Sequence, residues 1–331
     1  MMNIAIVILN WNGKQLLEQF LPSIIAFSDP SYSTIYVADN ASTDDSISFI
    51  KETYPAIKII VNSSNGGYAK GYNDALKHVD EEIYALVNSD IEVTKNWLTP
   101  IRELYMTQKE TAIVQPKILD FKQKDHFEYA GAAGGFMDKY GYPFCRGRIF
   151  DTIEKDMGQY NDILPIFWAS GACFFIKKDV FHTLNGFDEA YFAHQEEIDL
   201  CWRAQNLGLS IVYNGHSTVY HVGGATLNEL NPKKTYLNFR NSLYNLVKNT
   251  PKKGLFLLIF TRLVLDGIAG VKFMLALKPS HTFAIIRAHF GFYSMLSSML
   301  KKRNSSAQKQ DYYKTKSIVW DYFVKGKREI E

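Results

Sequence analysis

Cysteine is scarce, with three in 331 residues. Cys145, Cys173 and Cys201 have neither the paired spacing of a metal site nor the even, dense pattern of a disulfide framework, so a reducing compartment is expected. The start, Met1-Met2-Asn3-Ile4-Ala5-Ile6, lacks the basic-then-apolar layout of a secretory leader. The chain is therefore expected to stay on the cytoplasmic side, and triplets such as Asn40-Ala41-Ser42 are not read as glycan acceptors. Neither G-x-G-x-x-G nor G-K-[ST] follows the first apolar run, which ends in Leu9-Asn10-Trp11-Asn12-Gly13; the dinucleotide and P-loop cradles are excluded. Internal repeats and low-complexity tracts are also missing.

Hydrophobic residues make up 47% of the chain and charged residues 21%, enough for a sizeable core and too balanced for wholesale disorder. The net charge of +3 conceals two unlike halves. Residues 1–228 carry 18 Lys+Arg against 28 Asp+Glu, a balance of −10, whereas residues 229–331 carry 19 against 6, or +13. An acidic body with a basic tail points to an anionic partner for the tail alone.

Strand and helix patterns alternate through the first 120 residues. Apolar runs at Ile4 to Leu9, Ile35 to Ala38, Ile57 to Val61, Ile83 to Val87 and Ala112 to Gln115 read as buried strands. Between them, helical spacing appears at Leu16 to Phe27, after Ser42-Thr43-Asp44-Asp45, from about Ala69 to His78 and from Trp97 to Met106. The expected fold class is α/β, an open and mostly parallel Rossmann-like sheet flanked by helices. Residues 121–165, rich in glycine and aromatics, read as loops or a small hairpin. Phe167 to Ile176 follows as a strand, Asp179 to Leu184 and about Glu196 to Leu207 as helices, and 210–213 and 218–221 as two short strands. The expected domains are 1–250, split into a nucleotide-binding half (1–120) and an acceptor and catalytic half (121–250), and a basic amphipathic helical tail, 251–331.

Within the tail, Gly254 to Leu277 and Thr282 to Leu300 are strongly apolar but make poor bilayer spans. The first carries Arg262, Asp266 and Lys272, each costing about 2.5–3.5 kcal/mol near a membrane centre. The second has an uncharged run only from Ala288 to Leu300, short of the roughly 18–20 residues required. An amphipathic pair lying in a membrane interface fits, as do helices packed on the body. Basic flanks (Lys252-Lys253, Lys301-Lys302-Arg303, Lys325 to Arg328) favour an anionic membrane surface, where each charge adds about 1 kcal/mol. No nucleic acid partner is expected.

Polar groups cluster at the carboxyl ends of successive strands, where open α/β sheets build ligand sites. Asp39 there can accept from a uracil or thymine imide or a ribose hydroxyl, or form an Asx turn. Asn65-Gly66-Gly67, with Lys70 in the next turn, lets backbone approach a ligand, or serves as an ordinary strand-to-helix turn. Asn88-Ser89-Asp90 offers an amide and a carboxylate for a hard cation such as Mg2+ or Mn2+. His221 closes a later strand as a further metal or diphosphate ligand, or as a satisfied core histidine. Glu196, Glu197 and Asp199 open a helix on which Glu196 and Asp199 share a face and Glu197 points about 100° away. One carboxylate can take the proton of an incoming hydroxyl, while Asp199 and Arg203, four apart, read as a structural pair.

Together these segments resemble the family 2 glycosyltransferases of the GT-A fold, nearest the bacterial rhamnosyltransferase-like branch. The resemblance rests on Val7 to Gly13, Val37 to Asp44, Asn65 to Asn73, Leu86 to Asp90, Trp168 to Ala172, Gly186-Phe187-Asp188-Glu189, the carboxylate helix, His221-Val222-Gly223-Gly224 and Arg240-Asn241. It covers roughly residues 3–250. It implies an inverting, metal-dependent transferase that moves a sugar from a nucleoside-diphosphate sugar (dTDP-rhamnose or a UDP-sugar) to a hydroxyl of a lipid-linked or polysaccharide acceptor in cell-surface glycan synthesis. The implied donor-binding residues are Asn10, Asn12, Asp39, Asn65, Lys70, Asn88, Asp90 and Trp168. The metal would be held by Asp90 and His221, with a peripheral location on the inner face of the plasma membrane. The family's carboxylate pair is usually Glu-Asp with Asp as base; here Glu197 stands in that place, so Glu196 and Glu197 both remain candidates. A silent membrane adaptor and a nucleotidyltransferase that makes the nucleotide sugar are the rival readings.

Overall fold

In the computed structural model, residues 2–223, 231–303 and 309–330 are described. Gly224, the last residue of the His221 segment, lies outside them. The elements run β1 (Ile4–Asn10), α1 (Lys14–Phe27), β2 (Ser33–Asp39), α2 (Ser46–Thr53), β3 (Lys58–Val61), α3 (Gly67–Ala75), β4 (Ile83–Asn88), β5 (Ile91–Val93), α4 (Thr99–Thr107) and β6 (Thr111–Asp120). Four short strands follow, β7 (Gly135–Met137), β8 (Pro143–Cys145), β9 (Arg148–Ile149) and β10 (Thr152–Ile153). The body is completed by β11 (Ile163–Pro165), β12 (Cys173–Lys177), α5 (Lys178–Thr183), α6 (Glu196–Asn206) and β13 (Ser210–His221). Then come α7 (Pro232–Asn249), α8 (Leu255–Leu275), α9 (Pro279–Lys301) and α10 (Ile318–Phe323).

Among the described residues nine strands form one sheet in the order β11-β13-β6-β12-β4-β1-β2-β3, with β5 paired to β13. Along β1, Ile4, Ile6 and Ile8 enter the apolar layer shared with Leu17, Ile24, Trp97 and Tyr105, and Ala5 and Val7 enter the layer shared with Tyr72 and Trp202. That two-sided burial is why the strand is apolar at every position. The sheet departs from a parallel run at β11 and β5, each antiparallel to β13, and at β12. β12 inserts between β4 and β6, antiparallel to both, so the fifth strand of the sequence pattern does not neighbour the fourth. The Phe167 to Ile176 run divides, and only its second half joins the ladder, as β12. Residues 210–221 form one strand with an irregular register between Asn214 and Thr218, not two strands. The 121–165 region builds a small four-stranded antiparallel sheet, β10-β9-β8-β7, more order than its glycines suggested.

Register places the polar strand ends together. Asn10 lies beside Asp39, and Leu9 beside Asn88. β5 pairs antiparallel with β13 so that His221 faces Ile91, the residue after Asp90.

After residue 250, one ion pair of α8 turns inward. Arg262 and Asp266 are buried and bonded to each other at 2.7 Å. Arg262 also donates to the carbonyls of Tyr140 and Gly141 and to Ser242 Oγ, while Tyr142 donates to Asp266 at 3.1 Å. The outward side is apolar: Phe256, Leu257, Phe260, Val264, Ile268 and Leu275 are exposed on α8, and Phe283, Ile286 and Phe290 on α9. Among the described residues no helix is long and apolar enough to cross a membrane. The last segment returns to the body. Lys314 N–H donates to Met137 O, Lys139 N–H to Thr315 O, and Ile318 N–H to buried Asp138.

Candidate active site

Asp39 and Asn10 tie β2 to β1. Asn10 Nδ2 donates to Asp39 Oδ1 at 3.0 Å, and Ser42 N–H donates to Asp39 Oδ2 at 2.8 Å. Both side chains are buried, at 0% and 1% exposed, so they fix the floor of the strand-end crevice. Asn12 stands above them, accepting from Thr43 N–H at 2.7 Å, and its own N–H donates to Ser42 Oγ. Asn65 closes an Asx turn to Gly67 N–H at 2.9 Å and receives Asn40 Nδ2 at 3.0 Å. The glycine at 67 is required: its φ is +80°, and a Cβ there would lie 2.4 Å from Phe192 O. Lys70 is occupied by Asp74 at 2.6 Å, an i,i+4 surface pair. Trp168 departs from the sequence expectation. It is 3% exposed, its indole N–H donates to Phe136 O at 2.8 Å, and it packs in the core without facing open space.

Asp90 and His221 meet as the strand pairing requires, with Nε2 3.3 Å from Asp90 Oδ1. On the other side of the ring, Nδ1 lies 3.3 Å from Glu128 Oε1. All three are buried. Burial disfavours a charged imidazole, but Glu128 and Asp90 outweigh it and push the His221 pKa up to about 10. Once the Nε2 proton is displaced, the Asp90 and His221 atoms suit Mg2+ or Mn2+, which bind through one or two protein groups and complete an octahedral shell with water and phosphate oxygens. Their 3.3 Å separation is close to the spacing, about 3 Å, of adjacent donors in a shell of about 2.1 Å bonds. No preformed cage of three or more His, Cys, Asp or Glu ligands is found among the described residues.

The third component is the start of α6. Phe192, His194 and Gln195 all take left-handed φ values, 68°, 68° and 69°, which side chains normally avoid. The loop is held by α7, whose Asn241 Nδ2 donates to the carbonyls of Tyr191, Ala193 and His194 at 3.2, 3.0 and 2.7 Å. Asn245 donates to Gln195 Oε1, and Asn249 to Asp199 Oδ1 at 2.9 Å. Asp199 also pairs with Arg203 and Lys248, each at 2.8 Å. Burial opposes its charge, yet Lys248 and Arg203 hold its carboxyl well below the usual range.

The two glutamates then separate by environment. Glu196 is 3% exposed, and its Oε2 is buried without a hydrogen-bond partner. Burial and the neighbouring Glu197 hold its carboxyl protonated far above the usual range. Glu197 is half-buried. Burial raises its pKa and backbone N–H groups of the helix start lower it again, leaving it at about 7. Its carboxyl carbon is 3.6 Å from where a Cβ of Gly171 would stand, next to the Tyr68 hydroxyl. Tyr68 donates to Gly171 O at 2.7 Å, and Ala172 O accepts from Asn88 N–H. Glu197 therefore lies beside the Gly171–Ala172 segment, which borders the end of β4.

Sequence reading missed Glu128, which sits in a region without periodicity. It also gave no role to the row Asn241, Asn245, Asn249, although three asparagines at i, i+4 and i+8 mark one polar helix face.

These features define a GT-A fold with a strand-end crevice, an aspartate–histidine pair and a carboxylate at a helix start. The glycosyl transferase family 2 model matches residues 5–184, and the chain belongs to that family, whose members are enzymes of the glycosyltransferase class. Its relatives include rhamnosyltransferases. The N-acetylglucosaminyl-diphospho-decaprenol L-rhamnosyltransferase of Mycobacterium tuberculosis (strain ATCC 25618 / H37Rv) is 23% identical over 236 residues, covering 66% of this chain and 75% of that protein. Rhamnosyltransferase WbbL of Escherichia coli (strain K12) is 24% identical over 222 residues, 63% of this chain and 80% of that one. The low-salt glycan biosynthesis hexosyltransferase Agl10 of Haloferax volcanii is 23% identical, and this chain spans 64% of its length. Among solved structures, S. aureus TarS 1–349 superposes with a TM-score of 0.58 at 13% identity, over 91% of this chain and 83% of that one. The mannosyltransferase PcManGT from Pyrobaculum calidifontis, in complex with GDP-Man and Mn2+, superposes with 0.54 at 14% identity, over 89% and 87%.

Proposed function

We propose that the protein transfers a sugar, with inversion, from a nucleoside-diphosphate sugar to a hydroxyl of a lipid-linked or polysaccharide acceptor, with Glu197 as general base. The observation that carries this reading is the division between the two glutamates. A base that works near neutral pH needs a pKa near 7 and access to its substrate; Glu197 has both, and Glu196 has neither. The acceptor oxygen attacks the anomeric carbon, its proton passes to Glu197, and the bond from that carbon to the diphosphate oxygen breaks with its electron pair leaving on the nucleotide. Mg2+ or Mn2+ at Asp90 and His221 would offset the charge developing on the leaving diphosphate. Asp39, Asn10 and Asn12 shape the nucleotide end of the crevice, and the turn at Asn65 borders it. The rhamnosyltransferases among the relatives support dTDP-rhamnose as the first donor to test, with UDP-sugars second.

Calorimetry with UDP, dTDP, GDP and CDP in the presence of Mn2+ tests the donor site. One nucleotide is expected to bind at least ten-fold more tightly than the rest, and Asp90→Ala to weaken it. A folded protein that binds none would contradict the proposal.

The same reading places the outward face of α8 and α9 on an anionic membrane, beside a lipid-linked acceptor. From 251 to 303 the chain carries Lys252, Lys253, Lys272, Lys278, Arg287 and Lys301 on its exposed surface, and its one carboxylate, Asp266, is buried. Exposed apolar side chains rimmed by cations alone suit an interfacial contact. Sedimentation with vesicles containing phosphatidylglycerol is expected to pull down the wild type. A triple variant, Phe256→Glu, Phe260→Glu and Ile268→Glu, is expected to stay in solution. Equal binding by both would refute this placement.

A further inference from the structure

Glu128 is set against the face of His221 opposite Asp90. Its Oε2 accepts from Ala130 N–H at 2.5 Å, and its Oε1 lies 3.3 Å from His221 Nδ1, an electrostatic contact outside hydrogen-bond alignment. Neither group has room to turn aside. Glu128 is 4% exposed and His221 6%, Phe121 N–H donates to His221 O, and Glu128 N–H donates to Ile118 O. Gly223, at φ +67°, keeps the backbone close: a Cβ there would stand 3.1 Å from Glu128 Oε1.

We infer that Glu128 is a positioning residue, whose carboxylate faces Nδ1 of His221 and favours the proton on that side, so that Nε2, beside Asp90, is the nitrogen presented to a divalent cation. The physical reason is that an imidazole has two nitrogens and can ligate through only the one that lacks a proton. A carboxylate on Nδ1 keeps the proton there, fixes the ring plane and makes Nε2 a stronger donor, as outer carboxylates do at histidine–metal sites. Arg148, buried nearby, carries a charge close enough to interact with Glu128. The four groups come from separate parts of the chain: the end of β4 (Asp90), the segment after β6 (Glu128), β9 (Arg148) and the end of β13 (His221). The inference rests on the proposed metal site, so its test must be able to fail separately.

The measurement is Mn2+ affinity by electron paramagnetic resonance, with the metal alone and again with whichever nucleoside diphosphate binds. It uses the full-length wild type, Asp90→Ala, His221→Ala, Glu128→Ala, Glu128→Gln and the double variant Glu128→Ala/His221→Ala. Loss of a group that orients a ligand is expected to weaken Mn2+ by about 10–100-fold in Glu128→Ala. Glu128→Gln, which can still accept from Nδ1–H, is expected to fall between it and the wild type. In the His221→Ala background the same substitution is expected to cost nothing further, because Glu128 acts through the ring. An undiminished penalty there would overturn the inference, as it would make Glu128 a direct ligand or a general prop of the fold. Unchanged affinity in Glu128→Ala would also overturn it. Equal binding by wild type and Asp90→Ala would instead remove the metal site itself.

Discussion

Glu197→Gln is expected to lower turnover by about 10²–10⁴-fold, the usual contribution of a positioned general base, while nucleotide affinity and thermal stability stay near wild type. The amide keeps the shape of the side chain and cannot take a proton from the acceptor hydroxyl. Glu196→Gln is the matched control. Its carboxyl is buried and held protonated, so a neutral amide of the same size changes little. The pair of variants decides between the two glutamates, since an inactive Glu196→Gln beside an active Glu197→Gln would reverse the assignment. In the wild type, kcat/KM is expected to rise with pH through about 7 as Glu197 loses its proton. That limb should vanish from the residual activity of Glu197→Gln. The same raised pKa works against folding stability: the contribution of Glu197 is complete below its unfolded value, near 4.5, and is lost as pH rises through about 7.

Asp199→Ala is expected to cost about 3–5 kcal/mol, because it leaves the partners of a broken buried ion pair uncompensated. Lys248 is 4% exposed and would keep Asp188, at 2.7 Å, as its remaining carboxylate. Arg203 would keep only the carbonyls of Leu184 and Gly186, and Asn249 would lose its acceptor. Urea denaturation measures the loss, and a change under 1 kcal/mol would contradict the role given to this network. Asp199 has a depressed folded pKa, so its stabilisation is present above its unfolded value, near 3.8, and fades as pH falls below it. The network also fixes where Glu197 points, since Asn241, Asn245 and Asn249 bind both the left-handed loop and Asp199. A partial fall in turnover is therefore expected alongside the lost stability.

The strands of the nucleotide half were legible because two-sided burial demands continuous apolar runs, which β1 and β4 obey along nearly their whole length and β2 in its second half. Their polar ends announced Asn10, Asp39 and Asp90 for the same reason: a polar group after a buried strand has to emerge somewhere. Periodicity could not reveal the antiparallel insertion of β12, which is decided by distant pairing with β4 and β6. Nor could it find Glu128, which reaches His221 only because β13 runs beside β6. The family resemblance implied Trp168 as a donor-binding residue, but Gly135 lets the indole into the core: a Cβ there would lie 2.2 Å from its ring. The tail shows a subtler limit. Helical spacing located the charged stripe of α8, and only tertiary contacts show that Arg262 and Asp266 face the body while the apolar side faces out.

Release of nucleoside diphosphate from a panel of nucleotide sugars, with an acceptor extract and Mn2+, tests the central claim most directly. The account expects release from one donor class by the wild type, its loss on chelation or in Asp90→Ala, and a deep fall in Glu197→Gln. No sugar-dependent release by a folded protein, or release that Asp90→Ala and Glu197→Gln leave untouched, would contradict it.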